Sequence, residues 1–415
     1  MSSVEKGFLR YVAIDAHKYY VVIGGVNAEL EVVLPPRRIQ LGELEAWLRA
    51  QLKATDKAVI EASTNTWTIY DQVARYAGEV VVAHPPHVKL IGGAVVKTDK
   101  HDVRRLAKLL AVGMIPEVWV PPLVVRELRE IVSHRLRLVG ACTQATNRLH
   151  SMLQRHNIAA PAGDPFAAKH RAWWDTLPVS FTEKLRVRQD LATLDHFNQQ
   201  VKEVETELGR LSTVSPWAEQ VPFLIQLSGI GIITARVILA AVGDIFRFEH
   251  AKNLTGYAGL GTYVHDSGET HRHGRISKRG RADLRQAMVE AAWVAARTHP
   301  HWKAEYERLS KRMLANKAIV AVARKLLVVV WHVLHDHEAD RQAQPDKVAA
   351  KLRVWSGRLS PDQRQGLSHR HFVRLHLIHL GLGDELTHFR FGGKPCSLPP
   401  PDELRRLELA SPSSA

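Results

Sequence analysis

Tyr11-Val12-Ala13-Ile14-Asp15 is an apolar run closed by a carboxylate, and Ala58-Val59-Ile60-Glu61 repeats the pattern. Runs of this kind, rich in branched residues, read as strands lying inside a sheet. Thr98-Asp99-Lys100-His101-Asp102 then opens a helical stretch from Val103 to Val112, and the two aspartates, three residues apart, share a helical face. Carboxylates at the ends of neighbouring strands, with a pair on a following helix, form a set able to hold two divalent metal ions. Two such ions activate a nucleophile and steady a leaving oxygen in phosphodiester chemistry. Asp15, Glu61, Asp99 and Asp102 are therefore the candidate metal-binding and catalytic carboxylates. Taken singly, each has a plainer reading as a turn or cap residue, with Thr98 capping the helix and Asp99 charging its first turn.

Around these residues the first 120 positions read as α/β. Phe8 to Asp15 and Tyr19 to Gly24 pair as strands across the turn Ala16-His17-Lys18, and Val32 to Leu34 adds a third before the amphipathic helix Leu41 to Leu52. The strand Lys57 to Ala62, a helix Thr66 to Ala77, the strand Glu79 to Ala83 and a short strand at Val118 to Val120 follow. A hairpin followed by strand–helix alternation predicts a mixed sheet with helices on its faces.

From Leu123 to His156 the apolar residues recur at the helical period, and after a Pro/Gly-bearing break (Ala159 to Asp175) a second long polar helix runs from Phe181 to Leu211. This predicts a long helical, coiled-coil-like hairpin that acts as a spacer or oligomerisation element. The segment from Pro216 to about His337 is mainly α. Residues 339–415 form a His-rich basic tail, and its Pro/Ser-rich end from Pro395 is expected to be disordered. The expected divisions are 8–122, 123–215, 216–338 and 339–415.

Composition narrows the partner. Fifty-seven Lys and Arg stand against 42 Asp and Glu, a net charge of +15 spread along all 415 residues. In a chain that also carries metal-type carboxylates, such a balance points to nucleic-acid phosphate rather than to solubility alone. Cys142 and Cys396 are the two cysteines, too few for a disulfide framework or a zinc site, which suits a reducing cytoplasm. The longest apolar run, Leu326 to Trp331, is judged too short for a membrane span, and the N-terminus lacks the basic-then-apolar pattern of a secretion signal.

Two further stretches carry chemistry. Ser228-Gly229-Ile230-Gly231 lies between helical segments, where a Gly-x-Gly turn can present backbone amides to a phosphate in the manner of a helix-hairpin-helix; the alternative is an ordinary helix–helix turn. Further on, Asp266-Ser267-Gly268-Glu269 leads into a basic stretch holding Arg272, Arg275, Lys278, Arg279 and Arg281. That stretch reads as a nucleic-acid patch or a solvated face. A serine in a loop beside such cations is a candidate nucleophile; Ser277 competes with Ser267 on the same reasoning. The groups His332/His335/His337 and His369/His371/His376/His379 lack a fixed ligand pattern and read as solvated or core histidines.

In order and spacing these pieces resemble the DEDD-type insertion-sequence transposases, the bridge-RNA-guided recombinases. The carriers are Ala13-Ile14-Asp15, Ile60-Glu61, Lys97-Thr98-Asp99-Lys100-His101-Asp102, Tyr257-Ala258-Gly259-Leu260-Gly261, Ser267-Gly268 and Gly274-Arg275-Ile276-Ser277-Lys278-Arg279-Gly280-Arg281 through Arg285, covering residues 8 to 335. The resemblance implies an RNase H/RuvC-like N-terminal domain in which Asp15, Glu61, Asp99 and Asp102 bind Mg2+. It also implies a C-terminal domain in which Ser267 becomes joined to a DNA phosphate. It further implies element-end and target DNA as partners, and a non-coding guide RNA that pairs with both DNAs. The protein would be a homo-oligomer, a dimer or tetramer, whose two half-sites come from different subunits, acting in a bacterial cytoplasm at the nucleoid. The rivals are a RuvC-like junction nuclease using water and a catalytically idle nucleic-acid-binding protein. Two features depart from the family pattern: the long tail after His337, and Gly261-Thr262-Tyr263-Val264 where a proline is common.

Overall fold

The computed structural model describes residues 7–91, 98–267 and 270–404 and divides into two compact units, Met1–Pro122 and Leu123–Ala415. Unit one is a six-stranded mixed sheet in the order β3-β2-β1-β4-β5-β6. Its strands are β1 (Arg10–Ala16), β2 (Tyr20–Val26), β3 (Val32–Gln40), β4 (Asp56–Glu61), β5 (Glu79–Ala83) and β6 (Glu117–Val118). β1 runs antiparallel to β2 and parallel to β4, which is itself parallel to β5. The helices are α1 (Leu44–Gln51), α2 (Thr66–Val73), α3 (Pro85–Ile91) and α4 (Asp99–Ala111).

Alternation along the strands sorts the core into two layers. Val12, Ile14, Ala58 and Ile60 pack with Leu44 and Leu48 of α1 and Ile69 and Val73 of α2 on one face. Ala13 and Val59 pack with Val103, Leu106, Ala107 and Leu110 of α4 on the other. Sequence patterning anticipates most of this unit but stops β3 at Leu34 and omits α3. β3 continues through Pro35 and Pro36 because it is an edge strand, where a missing N–H costs no ladder bond.

Unit two is mostly helical. α5 (Leu123–Arg155) and α7 (Phe181–Leu211) pack antiparallel, pinned by Arg135–Glu205, Arg148–Asp190 and Arg155–Glu183 ion pairs. Between them α6 (Arg171–Asp175) places Trp174 in a small core with Leu149, Met152, Leu153 and Val187. α8 (Trp217–Ile225), α9 (Ile232–Val242) and α10 (Ala251–Tyr257) lead to the hairpin β7 (Thr262–Ser267) and β8 (Thr270–Ile276). α11 (Ala282–Thr298), α12 (Pro300–Ser310) and α13 (Ala315–His335) follow, and α9 is packed by α5, α8 and α11.

Two expectations need correction here. α13 has 21 residues and an 18-residue window of mean hydropathy 1.7, long and apolar enough by composition to cross a membrane, because the run Leu326 to Trp331 is extended by Ala318 to Ala323 beyond Arg324 and Lys325 and by Val333 and Leu334 beyond His332. Ala318, Ile319, Val322, Leu326, Leu327 and Val330 of this helix are buried inside the protein. The tail is also folded as far as Leu404. α14 (Pro345–Ser356), α15 (His369–His379), β9 (His388–Phe391) and β10 (Lys394–Ser397) build a helical pair beside a β-hairpin. Trp355, Phe372 and Phe389 are buried there, and Arg374 donates to Pro399 O and Gly383 O, tying down backbone that composition alone marks as free. His376 is among these core residues, packed on Trp355 and Phe372, and burial holds its pKa down at about 3.

Candidate functional site

The alternation that builds the two cores also aims the carboxylates. Val12 and Ile14 face α1 and α2, so Ala13 and Asp15 face α4; in β4, Val59 and Glu61 do the same. Ile14 pairs with Ile60 in parallel register, which leaves Asp15 and Glu61 as next residues on adjacent strands and on one sheet face. α4 crosses that face through Val103, Leu106 and Leu110. Thr98 caps the helix, its side chain accepting from the His101 amide, so Asp99 and Asp102 occupy the first turn, where the helix dipole favours negative charge.

Asp15, Asp99 and His17 meet: one donor atom from each lies within 4.8 Å of the others. His17 Nε2 stands 3.1 Å from Asp15 Oδ2 and 3.5 Å from Asp99 Oδ2. Tyr20 stacks on the His17 ring at 4.5 Å and donates from its hydroxyl to Asp99 Oδ2 at 3.4 Å, while the Arg38 guanidinium covers the other side of the Tyr20 ring at 3.6 Å. Asn65 donates to the His17 carbonyl and so fixes the loop carrying it. Asp102 accepts from Arg105 at 3.0 Å and is near enough to Asp15 to act on its charge. Burial pushes the Asp15 carboxyl above the usual carboxylate range; His17 opposes that rise, and the Asp99 and Asp102 charges add to it. A carboxylate held above its ordinary value by burial, with two further carboxylates adding to the rise, is a site that a divalent cation relieves, and carboxylate oxygens are the donors hard cations take. Glu61 and Asp102 lie outside the 4.8 Å group.

His17 is the residue that sequence reasoning left in a turn. Its signal is the spacing Asp15-x-His17 across a tight strand connection, which brings a ring back over the carboxylate two residues earlier.

The second set of candidates lies in the other unit. Ser267 is the last residue of β7, paired with Thr270, and its strand position replaces the loop expected for it; Gly268 and Glu269 lie outside the described residues. The alternating Thr270-His271-Arg272-His273-Gly274-Arg275-Ile276 extends as β8, so this part of the basic stretch is a strand rather than a loop; the side chains of Ser267, Arg272 and Arg275 are not among those described. Ser277 follows β8, its amide bonded to Gly261 O. Lys278 and Arg279 are exposed. Arg281 is half-buried against Asp283, and Arg285 donates to Ala258 O, so these two, expected on a nucleic-acid surface, are held within the fold by partners that sequence spacing does not reveal. Gly229 and Gly231 form the turn between α8 and α9. Gly229 has φ +82° and packs on the backbone of Ala291 in α11, so its glycine serves packing; Gly231 is exposed at the start of α9.

Comparison with known families supplies the decisive observation. Residues 12–158 match the DEDD transposase model of the IS110 group, and residues 222–307 match the IS116/IS110/IS902 transposase family model. The chain belongs to the DEDD-type IS110 transposases. All four carboxylates of this transposase fall in the first match, and Ser267 and the basic hairpin in the second. It is 26% identical over 259 residues to the transposase for insertion sequence element IS1111A of Coxiella burnetii, covering 59% of this chain and 68% of that one. It is 24% identical over 311 residues to the pilin gene-inverting protein of Moraxella bovis, covering 71% and 85%. An IS110 element 43.6 kDa protein of Streptomyces coelicolor is 30% identical over 162 residues, 39% of either chain. The mixed α/β sheet with a mostly helical remainder fits the DEDD class.

Proposed function

We propose that this transposase is a Mg2+-dependent DNA recombinase that mobilises its own insertion sequence by cutting and rejoining DNA, guided by a non-coding RNA. The observation that carries the reading is the convergence of Asp15, Asp99 and His17 on the sheet face that also bears Glu61, with Asp102 one helical turn along. Asp15, Glu61, Asp99 and Asp102 would hold the metal, in a RuvC-like arrangement. Bound there, it would activate the attacking oxygen and stabilise the leaving one.

Ser267 is the nucleophile in this reading. Its hydroxyl oxygen bonds to the scissile phosphorus as the P–O3′ bond breaks, with net transfer of the serine proton to the 3′ oxygen. The phosphoserine keeps the bond energy for rejoining to a second DNA. Lys278 and Arg279, with Arg272 and Arg275 of the same hairpin and the Gly231 end of a helix-hairpin-helix-like turn, contact the DNA backbone without reading bases. Sequence is then read by guide-RNA pairing. The working form is a homo-oligomer, a dimer or tetramer, in the cytoplasm at the nucleoid.

The test is a denaturing gel of the protein with Mg2+, co-expressed flanking RNA and labelled element-end DNA, run for wild type, Ser267→Ala and Asp102→Asn. A protease-sensitive DNA adduct in wild type alone is the expected result. Cleavage without adduct that persists in Ser267→Ala would replace the recombinase by a hydrolytic nuclease. DNA binding with no cleavage in any of the three, once RNA and ends are supplied, would leave an idle binding protein.

A further inference from the structure

Strand register places a cation in the same row of the sheet as the acidic site. Asp15 of β1 pairs with Val22 of β2, and Val22 pairs with Arg38 of β3. Glu61 continues the row on β4, so the face covered by α4 reads Arg38, Val22, Asp15, Glu61 across four adjacent strands. Arg38 thus stands two strand spacings from Asp15, about 10 Å at the backbone. Tyr20, diagonal to Arg38 on the same face, bridges that gap.

The Tyr20 ring carries His17 at 4.5 Å on one side and the Arg38 guanidinium at 3.6 Å on the other, and its hydroxyl donates to Asp99 Oδ2 at 3.4 Å. One side chain therefore holds two members of the acidic site and a cation. The plain reading is a surface arginine resting on a nearby ring. Stacking accounts for the contact but not for the place. A nucleic-acid strand entering this face meets Asp15, Glu61, Asp99 and Asp102, whose charge opposes its phosphates. A guanidinium in the same row offsets that repulsion, and its planar fork fits phosphate oxygens while its face stays on the ring. Arg38 is exposed, whereas Tyr20, His17 and Asp99 are half-buried, so the cation is the member of the group open to a polymer.

We propose that Arg38 binds a backbone phosphate of the DNA strand that enters the acidic site, and that Tyr20 is the positioning residue that holds both this cation and Asp99. The proposal rests on the recombinase reading, whose metal-binding carboxylates give the strand its reason to lie there. It adds to that reading a contact made by the sheet itself, on the edge strand next to the acidic row and apart from the β7–β8 hairpin.

The test measures binding of the full chain to a fluorescein-labelled element-end duplex, and separately to the flanking RNA, by anisotropy across a salt series, beside Mn2+ binding by calorimetry. Arg38→Gln is expected to lower duplex affinity about tenfold and the slope of log affinity against log salt by about 0.9, with Mn2+ binding unchanged. Arg38→Lys keeps the charge and is expected to restore the slope. Tyr20→Phe keeps the ring between His17 and Arg38 and removes the hydroxyl; it is expected to weaken Mn2+ binding about threefold at unchanged duplex slope. A general loss of fold would move both readouts together. Wild-type affinity and slope in Arg38→Gln overturn the phosphate contact while leaving the recombinase reading intact, and unchanged Mn2+ affinity in Tyr20→Phe overturns the positioning role. Mn2+ binding weakened in Arg38→Gln as much as in Tyr20→Phe overturns the proposal by assigning the arginine to the carboxylates. Loss confined to the RNA overturns it in favour of a guide-RNA contact. Salt-independent or absent duplex binding in wild type brings down the recombinase reading and the proposal together.

Discussion

Gly229→Ala separates packing from nucleic-acid contact at the Gly-x-Gly turn. Gly229 has φ +82°, in the left-handed region, and a Cβ there would collide with the carbonyl oxygen of Ala291 and lie 2.9 Å from its carbonyl carbon. Ala291 sits mid-way along the 17-residue α11 and is 2% exposed, so the offending atom is fixed helix backbone and cannot swing aside. The backbone conformation costs about 1–2 kcal/mol for a residue with a Cβ. The overlap adds about 1–3 kcal/mol. With a urea slope of about 3 kcal/mol/M, the combined loss of about 2–5 kcal/mol lowers the unfolding midpoint by roughly 1 M. Trp217 and Trp331 are buried in the same unit, so tryptophan emission follows the transition. Gly231→Ala is the companion: its φ is −99° and a Cβ meets nothing within 4 Å, so stability should hold within about 0.5 kcal/mol. Any effect of Gly231→Ala should therefore appear in DNA affinity alone. A Gly229→Ala midpoint within about 0.2 M of wild type would refute the packing argument.

Three further outcomes follow from the geometry. Lys351 of α14 is half-buried, donates to Ile225 O and Leu227 O, and desolvation pulls its pKa down to about 7. From there up to its ordinary 10.5 the unfolded chain carries a proton the folded one has released. Stability should therefore rise with pH across this window and be indifferent to this group below it; Lys351→Met should remove that rise in urea midpoints, and an unchanged slope would contradict it. His17→Ala should weaken Mn2+ binding, measured by calorimetry, roughly tenfold by removing the nitrogen between Asp15 and Asp99, and equal affinity would exclude His17 from the site. Arg236 is fully buried beneath Trp217, its guanidinium nitrogens without a hydrogen-bond partner among the described residues. Arg236→Met is thus expected to leave stability unchanged or raise it by about 1–4 kcal/mol, whereas a loss of about 2 kcal/mol or more would mean the charge is compensated.

The secondary elements that carry the acidic residues were legible because their signals are local. Continuous apolar runs ending at Asp15 and Glu61, a Thr98 cap, and an apolar stripe from Val103 to Leu110 are each written within a few residues of one another. Alternation even determines that Asp15 and Glu61 share a face, since a strand has two faces and the other is filled by Ile14 and Ile60. The long antiparallel helices were legible for the same reason, their period persisting over many turns.

What tertiary structure alone decided is which side chains end up beside one another across long stretches of chain. His17 becomes a neighbour of Asp99 only because α4 is laid over the end of β1. Arg285 turns inward to Ala258 O, and Gly229 meets Ala291, through packing contacts that no spacing encodes. Local sequence sets backbone period and capping through interactions a few residues long. The surroundings of a charge depend on distances fixed when distant elements close on a shared core, and that is where burial, pairing and pKa are set.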